Sequence, residues 1–121
     1  MTKSNDIAEN FKNVYAQINK ATRESNRNSG EVDLVVVTKN HDREKFLSLL
    51  ASGHRVFGEN RIVEATEKWL PLKQQFKDIR LHLIGPLQSN KVNRAINIFN
   101  VIETVDRTKI AQKIVKELKN Q

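Results

Sequence analysis

The chain opens with apolar residues spaced four and three positions apart from Ile7 to Ala21, the spacing of one face of an α-helix. A turn-forming cluster at residues 26–30 predicts the end of this helix. Residues 33–38 (DLVVVT) follow as a β-branched run without polar alternation, which is typical of a strand buried on both faces of a parallel sheet. The pattern therefore predicts a helix and then a buried strand.

Helical spacing returns four more times after this strand. Asp42 is a candidate N-cap and Gly53 a candidate C′ residue of the second helix, because these residue types favour the two ends of a helix. The four later helices carry apolar stripes at Phe46, Leu49 and Leu50; at Ile62, Ala65 and Trp69; at Val92, Ile96 and Phe99; and at Ile110, Ile114 and Leu118.

Short strand patterns separate these helices, at residues 55–57, 81–84 and 101–105. We expect Pro71 to disturb or end the third helix, because proline removes a hydrogen bond of the helix. Asp106 is the candidate cap of the last helix. The order is one helix followed by four strand–helix units, and it predicts a parallel sheet with helical crossovers.

Two architectures fit this order: a small open α/β sheet and half of an eight-stranded barrel. A complete (β/α) barrel typically needs about 250 residues, so this chain of 121 residues could supply only half of one. A chain of this length is large enough for a single domain, over residues 1–121. The pattern alone leaves the choice between the two architectures open.

Candidate chemistry lies where the predicted strands end, since parallel α/β folds place reactive side chains at the carboxyl ends of strands. Lys39 ends the apolar first strand, so we expect its amino group at a partly desolvated site. Burial disfavours the charged form of lysine and makes the amine a better nucleophile toward carbonyls. The alternative is a lysine that extends into water from the end of a strand.

Composition narrows the class of protein. Hydrophobic residues make up 38% and charged residues 29%, as in a globular chain, and there is no cysteine for disulfides or thiolate metal sites. The longest aliphatic run, residues 34–37, is far shorter than the roughly 20 residues of a membrane span. The first ten residues contain no apolar signal segment. We therefore expect a cytoplasmic protein without a membrane partner.

The net charge is +7, and residues 61–121 carry six of the seven excess positive charges. A basic surface attracts nucleic acid or anionic lipid. Here the basic residues are scattered, and the aromatic residues mostly fall on helical stripes rather than between them. A solvated basic face is the simpler interpretation, and no nucleic-acid partner is expected.

Four segments together resemble one protein family. They are LVVVTK (residues 34–39), FGEN (57–60), HLIGPLQSNK (82–91) and TVDR (104–107), and they are similar to the pyridoxal phosphate homeostasis proteins. These are TIM-barrel-like proteins related in fold to the N-terminal domain of alanine racemase. The resemblance covers roughly residues 5 to 118. It implies a parallel (β/α) half barrel, with about four β/α units behind an N-terminal helix.

The resemblance also implies a cofactor and its site. Lys39 matches the lysine that holds pyridoxal 5′-phosphate (PLP) as a Schiff base, Asn60 matches the asparagine of the GEN motif near the cofactor, and Ile84 lies on the strand beneath the ring. Family members are thought to bind PLP and balance its free level rather than to catalyse a reaction. The expected function is therefore PLP homeostasis without enzymatic activity. His41 departs from the family, whose members often carry a second lysine there.

Other functions remain as alternatives. A PLP-dependent racemase or decarboxylase of this fold needs a second acid–base residue opposite the lysine, and the sole tyrosine, Tyr15, lies in the first helix. Another alternative is a truncated remnant that no longer binds PLP.

Family members are about twice as long as this chain, and in such barrels the phosphate site usually comes from the loops after strands seven and eight. A half barrel also leaves two strand edges unpaired. We therefore expect either self-association or a separate complementing C-terminal half.

Overall fold

The computed structural model describes residues 4–121, which form one four-stranded sheet and five α-helices. The elements in chain order are α1 Ser4–Glu24, β1 Val36–Val37, α2 Leu47–Ala51, β2 Val56–Glu59, α3 Ile62–Gln75, β3 Arg80–Leu83, α4 Val92–Ile98, β4 Val101–Ile102 and α5 Thr108–Lys119. All neighbouring strands are parallel, in the order β1-β2-β3-β4. The predicted α/β class is confirmed, with four strand–helix units behind an N-terminal helix.

One face of the sheet packs against the helices. Phe57, Leu81 and Leu83 are fully buried there, together with Trp69 of α3 and Ile110 of α5. Because side chains alternate between the faces of a strand, these residues define what we call the helix face. Burying a large apolar side chain contributes about 1.5–3 kcal/mol, so this packing is the main source of stability.

The opposite face of the sheet, which we call the open face, consists of Val37, Gly58, His82 and Val101 in one register row. Val37 is 44% exposed on this face, and His82 and Val101 are half-buried. The predicted burial of the first strand on both faces is therefore wrong. β1 also spans only two residues instead of six, since it lies at the edge of the sheet and pairs with β2 alone.

Pro71 neither ends nor interrupts α3, which continues to Gln75. Trp69 and Leu72 flank Pro71 and are both buried in the core. A proline inside a helix costs about 3 kcal/mol, and the burial of these two side chains offsets that cost. The expectation from proline alone was wrong because tertiary packing holds the helix together on both sides.

The observed helix ends agree in part with the ends that the sequence predicts. Gly53 has a φ of +103°, and the N–H groups of Gly53 and His54 donate to the carbonyls of Leu50 and Leu49. This is the glycine-terminated helix end that the sequence predicts. The N-cap of α5 is Arg107 rather than Asp106, whose carboxylate instead accepts a hydrogen bond from Arg107.

The predicted second helix consists of a 3₁₀ turn, Arg43–Lys45, followed by α2. Asp42 stands at the N-cap of that turn without a side-chain capping bond.

Candidate functional site

Three strand ends meet at one edge of the sheet. Val37, Gly58 and His82 are paired across β1, β2 and β3, and Lys39, Asn60 and Ile84 follow the ends of these strands by two, one and one residues. The three strands are parallel, so their carboxyl ends lie at the same edge of the sheet. Neighbouring strands lie about 4.8 Å apart. The three residues predicted as the cofactor site thus follow three neighbouring strand ends, and we call them the row.

Gly58 lets apolar side chains close over the sheet beside this row. A Cβ atom at Gly58 would lie 3.0 Å from Val35 Cγ1 and 3.5–3.6 Å from two methyl carbons of Ile84. Val35 and Ile84 thus occupy the space above Gly58 from two sides. The result is a small apolar surface on the open face.

Gly85 brings Asn60 close to the third strand end. A Cβ atom at Gly85 would lie 2.6 Å from the Asn60 carbonyl oxygen and 2.8 Å from Asn60 Cβ. A real side chain does not tolerate such distances, so glycine is required by the approach of the Asn60 backbone. The Ile84 N–H also donates to the Glu59 carbonyl oxygen at 2.9 Å, which holds the two strand ends together.

Lys39 is exposed, and the partly desolvated environment expected for its amino group is not what the structure has. The reason is the position of β1. This strand forms the edge of the sheet, and the open face beside it is exposed at Val37. Lys39 therefore extends from the strand end toward solvent.

A buried carboxylate lies behind the row, on the helix face. Glu59 is fully buried, and its Oε2 accepts hydrogen bonds from the Thr38 hydroxyl, from Lys68 Nζ at 2.9 Å and from Trp69 Nε1 at 3.0 Å. Its Oε1 is buried without a hydrogen-bond partner among the described residues. A buried carboxylate is costly unless it is paired, and Lys68 supplies the partner of Glu59.

Two side chains of α3 reach the loop that contains Lys39. Lys68 Nζ donates to the Thr38 carbonyl oxygen at 2.7 Å, and the Asn40 N–H donates to Glu64 Oε1 at 2.8 Å. The hydrogen bond from the Asn40 N–H lowers the pKa of Glu64, and the pairing with Lys68 lowers it further. Glu64 is therefore the charged acceptor of this backbone bond.

Sequence reasoning did not identify Glu59, Glu64 or Lys68 as functional residues. The second strand was predicted to end at Phe57, which left Glu59 in a loop, whereas β2 includes Glu59 and directs it to the helix face. The four-residue spacing of Glu64 and Lys68 was visible in the sequence, since it is the spacing of helical ion pairs. Their contact with the loop after β1 could not be read from that spacing.

Arg107, the last residue of the TVDR motif, holds the loop after β3. Arg107 Nη2 donates to the Leu87 carbonyl oxygen at 2.9 Å, and Arg107 Nη1 donates to Asp106 at 2.8 Å. Leu87 is buried in the core. Arg107 thus ties the fourth strand end to the loop at residues 85–91.

The histidines occupy different environments. His82 lies on the open face, as its alternation with Leu81 and Leu83 predicts, and its Nδ1 is 2.7 Å from a carboxylate oxygen of Glu103. His41 is exposed. His54 is half-buried, and its ring packs against Phe11.

The fold and the row of strand ends define the class of this protein, a parallel α/β half barrel with a lysine at the carboxyl edge of its sheet. Among residues 4–121, no helix combines the length and the apolar character that a membrane crossing needs. No protein-family model matches the chain. Individual relatives match the chain over most of its length.

Over 109 residues the chain is 36% identical to the pyridoxal phosphate homeostasis protein of Haemophilus influenzae. This match covers 90% of this chain and 46% of the relative. The chain is also 36% identical over 113 residues to the protein of the same name from Pseudomonas aeruginosa, with coverage of 92% and 47%. The chain thus spans about half the length of the curated relatives it matches. It is a homologue of the pyridoxal phosphate homeostasis proteins over that half, and the resemblance of the four motifs is confirmed.

Solved structures agree with this assignment. PipY of Synechococcus elongatus, solved with PLP bound, matches with a TM-score of 0.71 and 32% identity, over 83% of this chain and 47% of PipY. A protein of unknown function from Bifidobacterium adolescentis matches with a TM-score of 0.87 and 29% identity, over 97% of this chain and 51% of its own. The strand–helix arrangement described above is therefore shared with about half of each of these proteins.

Proposed function

We propose that this chain binds PLP at Lys39 and serves PLP homeostasis. The observation that supports the proposal is that Lys39, Asn60 and Ile84 follow, within two residues, the ends of three adjacent parallel strands. The relatives named for PLP homeostasis and the PLP-bound PipY support it. A cytoplasmic location, expected from the absence of cysteine, belongs to the same proposal.

The residues of the row fit an aromatic aldehyde such as PLP. The neutral amine of Lys39 would form a C=N bond to the aldehyde carbon, and the aldehyde oxygen would leave as water. The exposure of Lys39 leaves its amine accessible to a ligand. The side chains of Ile84 and Val35 over Gly58 offer an apolar surface for a ring, and the Asn60 amide offers a hydrogen-bond donor and acceptor beside it.

We propose a binding role rather than catalysis. A PLP-dependent racemase or decarboxylase needs a second acid–base group opposite the lysine. Tyr15, the sole tyrosine, lies in α1 and stacks on Phe11 with ring centroids 5.6 Å apart. It is therefore occupied within α1 and does not belong to the row.

We also propose that the open face is covered by a second copy of this chain. Val37 is 44% exposed on this face, and β1 and β4 are the two edges of the sheet in the described residues. Unpaired strand edges and exposed apolar residues favour association. A separate complementing half is the alternative occupant of the same face.

The experiment that tests the binding proposal is a visible absorption spectrum of the protein mixed with PLP, before and after borohydride. We expect a Schiff-base band, and we expect borohydride to attach the cofactor permanently to the peptide that contains Lys39. Lys39→Ala should lose both the band and the labelled peptide. Lys45→Ala, a change of another exposed lysine on a nearby 3₁₀ turn, should keep them. A wild-type spectrum without a Lys39-dependent band contradicts the proposal.

A further inference from the structure

The loop that contains Lys39 is a tight turn. The His41 N–H donates to the Thr38 carbonyl oxygen at 3.1 Å, and Asn40 has a φ of +62°. A left-handed residue at the third position of a four-residue turn is characteristic of a type II turn. Lys39 occupies the second position, so its backbone direction depends on the two peptide groups on either side of it.

Both of these peptide groups are bound by α3. The carbonyl oxygen of Thr38 belongs to the peptide bond before Lys39, and Lys68 Nζ donates to it at 2.7 Å. The N–H of Asn40 belongs to the peptide bond after Lys39, and it donates to Glu64 Oε1 at 2.8 Å. Glu64 and Lys68 lie one helical turn apart and bond each other at 3.1 Å. We call this pair the α3 clamp.

The clamp is anchored in the core. Lys68 is 10% exposed and pairs with Glu59, which is fully buried, at 2.9 Å. Trp69, the next residue of α3, donates its indole N–H to the same carboxylate oxygen. Hydrogen bonds that involve a charged partner are stronger than neutral ones, and the two backbone bonds of the clamp are both of this kind. The peptide groups before and after Lys39 are therefore both hydrogen-bonded to α3.

We infer that Glu64 and Lys68 are positioning residues for Lys39, and that they fix the backbone from which its exposed side chain extends. This inference rests on the proposed function of Lys39. The Lys39 side chain is long and flexible, so its amine is directed at a ligand only if the backbone beneath it is fixed. Fixing a reacting group in advance lowers the entropy that is lost when it reacts.

Glu64→Ala is the informative variant. It removes the acceptor of the Asn40 N–H while Lys68 keeps its partner Glu59, whereas removal of Lys68 would leave a buried carboxylate unpaired. Glu64→Gln is the rescue variant, because its amide oxygen can still accept the Asn40 N–H. Glu67→Ala is the matched control, since Glu67 is an exposed carboxylate on the same helix.

Two quantities are measured for each variant: hydrogen exchange of the Asn40 amide without PLP, and the equilibrium constant for the Lys39-dependent band with PLP. For Glu64→Ala we expect faster exchange of the Asn40 amide. We also expect the affinity for PLP to fall about tenfold, because one charged hydrogen bond is lost. Glu64→Gln should recover most of both losses, and Glu67→Ala should match the wild type.

The outcomes separate this inference from the proposed function. Unchanged Asn40 exchange in Glu64→Ala would show that the clamp does not hold the turn, whether or not PLP binds. Faster exchange with an unchanged binding constant would overturn the positioning role alone. A wild type without any Lys39-dependent band overturns the proposed function, and the positioning role with it, while the exchange data still decide whether the clamp exists.

Discussion

Single residues decide how closely the strand ends approach each other. Gly58 and Gly85 both lack a side chain where a neighbour comes near, but the neighbours differ. At Gly58 the nearest atom to an added Cβ is a side-chain methyl of Val35 at 3.0 Å, and at Gly85 it is the backbone oxygen of Asn60 at 2.6 Å. A side chain can move aside more easily than a backbone, so the two glycines are not equally replaceable.

We therefore expect Gly85→Ala to lower the free energy of unfolding by about 1–3 kcal/mol, the usual cost of overpacking. Gly58→Ala should cost less, because the Val35 side chain can shift. Urea denaturation of the two variants measures the difference. Equal stabilities for the two variants would show that the Asn60 backbone is not held against Gly85. If Gly85→Ala still folds, it should also weaken PLP binding, because Asn60 would be displaced.

At the scale of elements, α1 is joined to the sheet through His54. The imidazole ring lies between Phe11 of α1 and Phe57 of β2, with centroid distances of 4.8 and 5.1 Å, and its Nε2 is 2.7 Å from the Val56 carbonyl oxygen. Burial lowers the pKa of His54, and the backbone hydrogen bonds with Val56 and Leu34 oppose this effect in part. The folded protein therefore favours the neutral form of the His54 imidazole.

This lowered pKa predicts a loss of stability in mild acid. An unfolded chain takes up the His54 proton near the ordinary histidine pKa of about 6.5, whereas the folded protein does so at lower pH. The free energy of unfolding should thus fall as pH drops below about 6.5, by no more than about 1.4 kcal/mol per pH unit for this one group. His54→Gln should remove that part of the slope in denaturation series between pH 7 and 5. An unchanged slope in His54→Gln would contradict this role of His54.

At the scale of the whole molecule, the helices cover one face of the sheet, and the open face carries the apolar residues that the helices do not reach. The chain spans about half the length of its curated relatives. Its two edge strands, β1 and β4, are short, at two residues each. Short edges limit uncontrolled pairing, but they do not cover Val37.

We expect the 121-residue chain to self-associate at micromolar concentration, and we expect Val37→Lys to shift it toward the monomer by placing a charge on the open face. Sedimentation velocity distinguishes the species. Val115 is similarly exposed but lies on α5 rather than on a strand, and Val115→Lys is the matched control that should leave association unchanged. A compact wild-type monomer at these concentrations would contradict self-association and favour a separate complementing half.

Much of the fold could be predicted from the sequence because it depends on local patterns. Apolar spacing located all five helical regions, and four strand patterns lay between or beside them. Gly53 predicted a helix end because only a residue without a side chain adopts its backbone angles readily. The four motifs indicated the family, and through that resemblance they singled out Lys39, Asn60 and Ile84 as the candidate cofactor site.

Only the tertiary structure decided what depends on contacts between distant segments. Sheet order made β1 an edge strand and left Lys39 exposed, although its sequence resembled a buried strand. Core packing carried α3 through Pro71. The α3 clamp joins residues 24 and 30 positions apart in the chain. Local spacing cannot specify such contacts, because they follow from how whole elements pack rather than from the residues beside them.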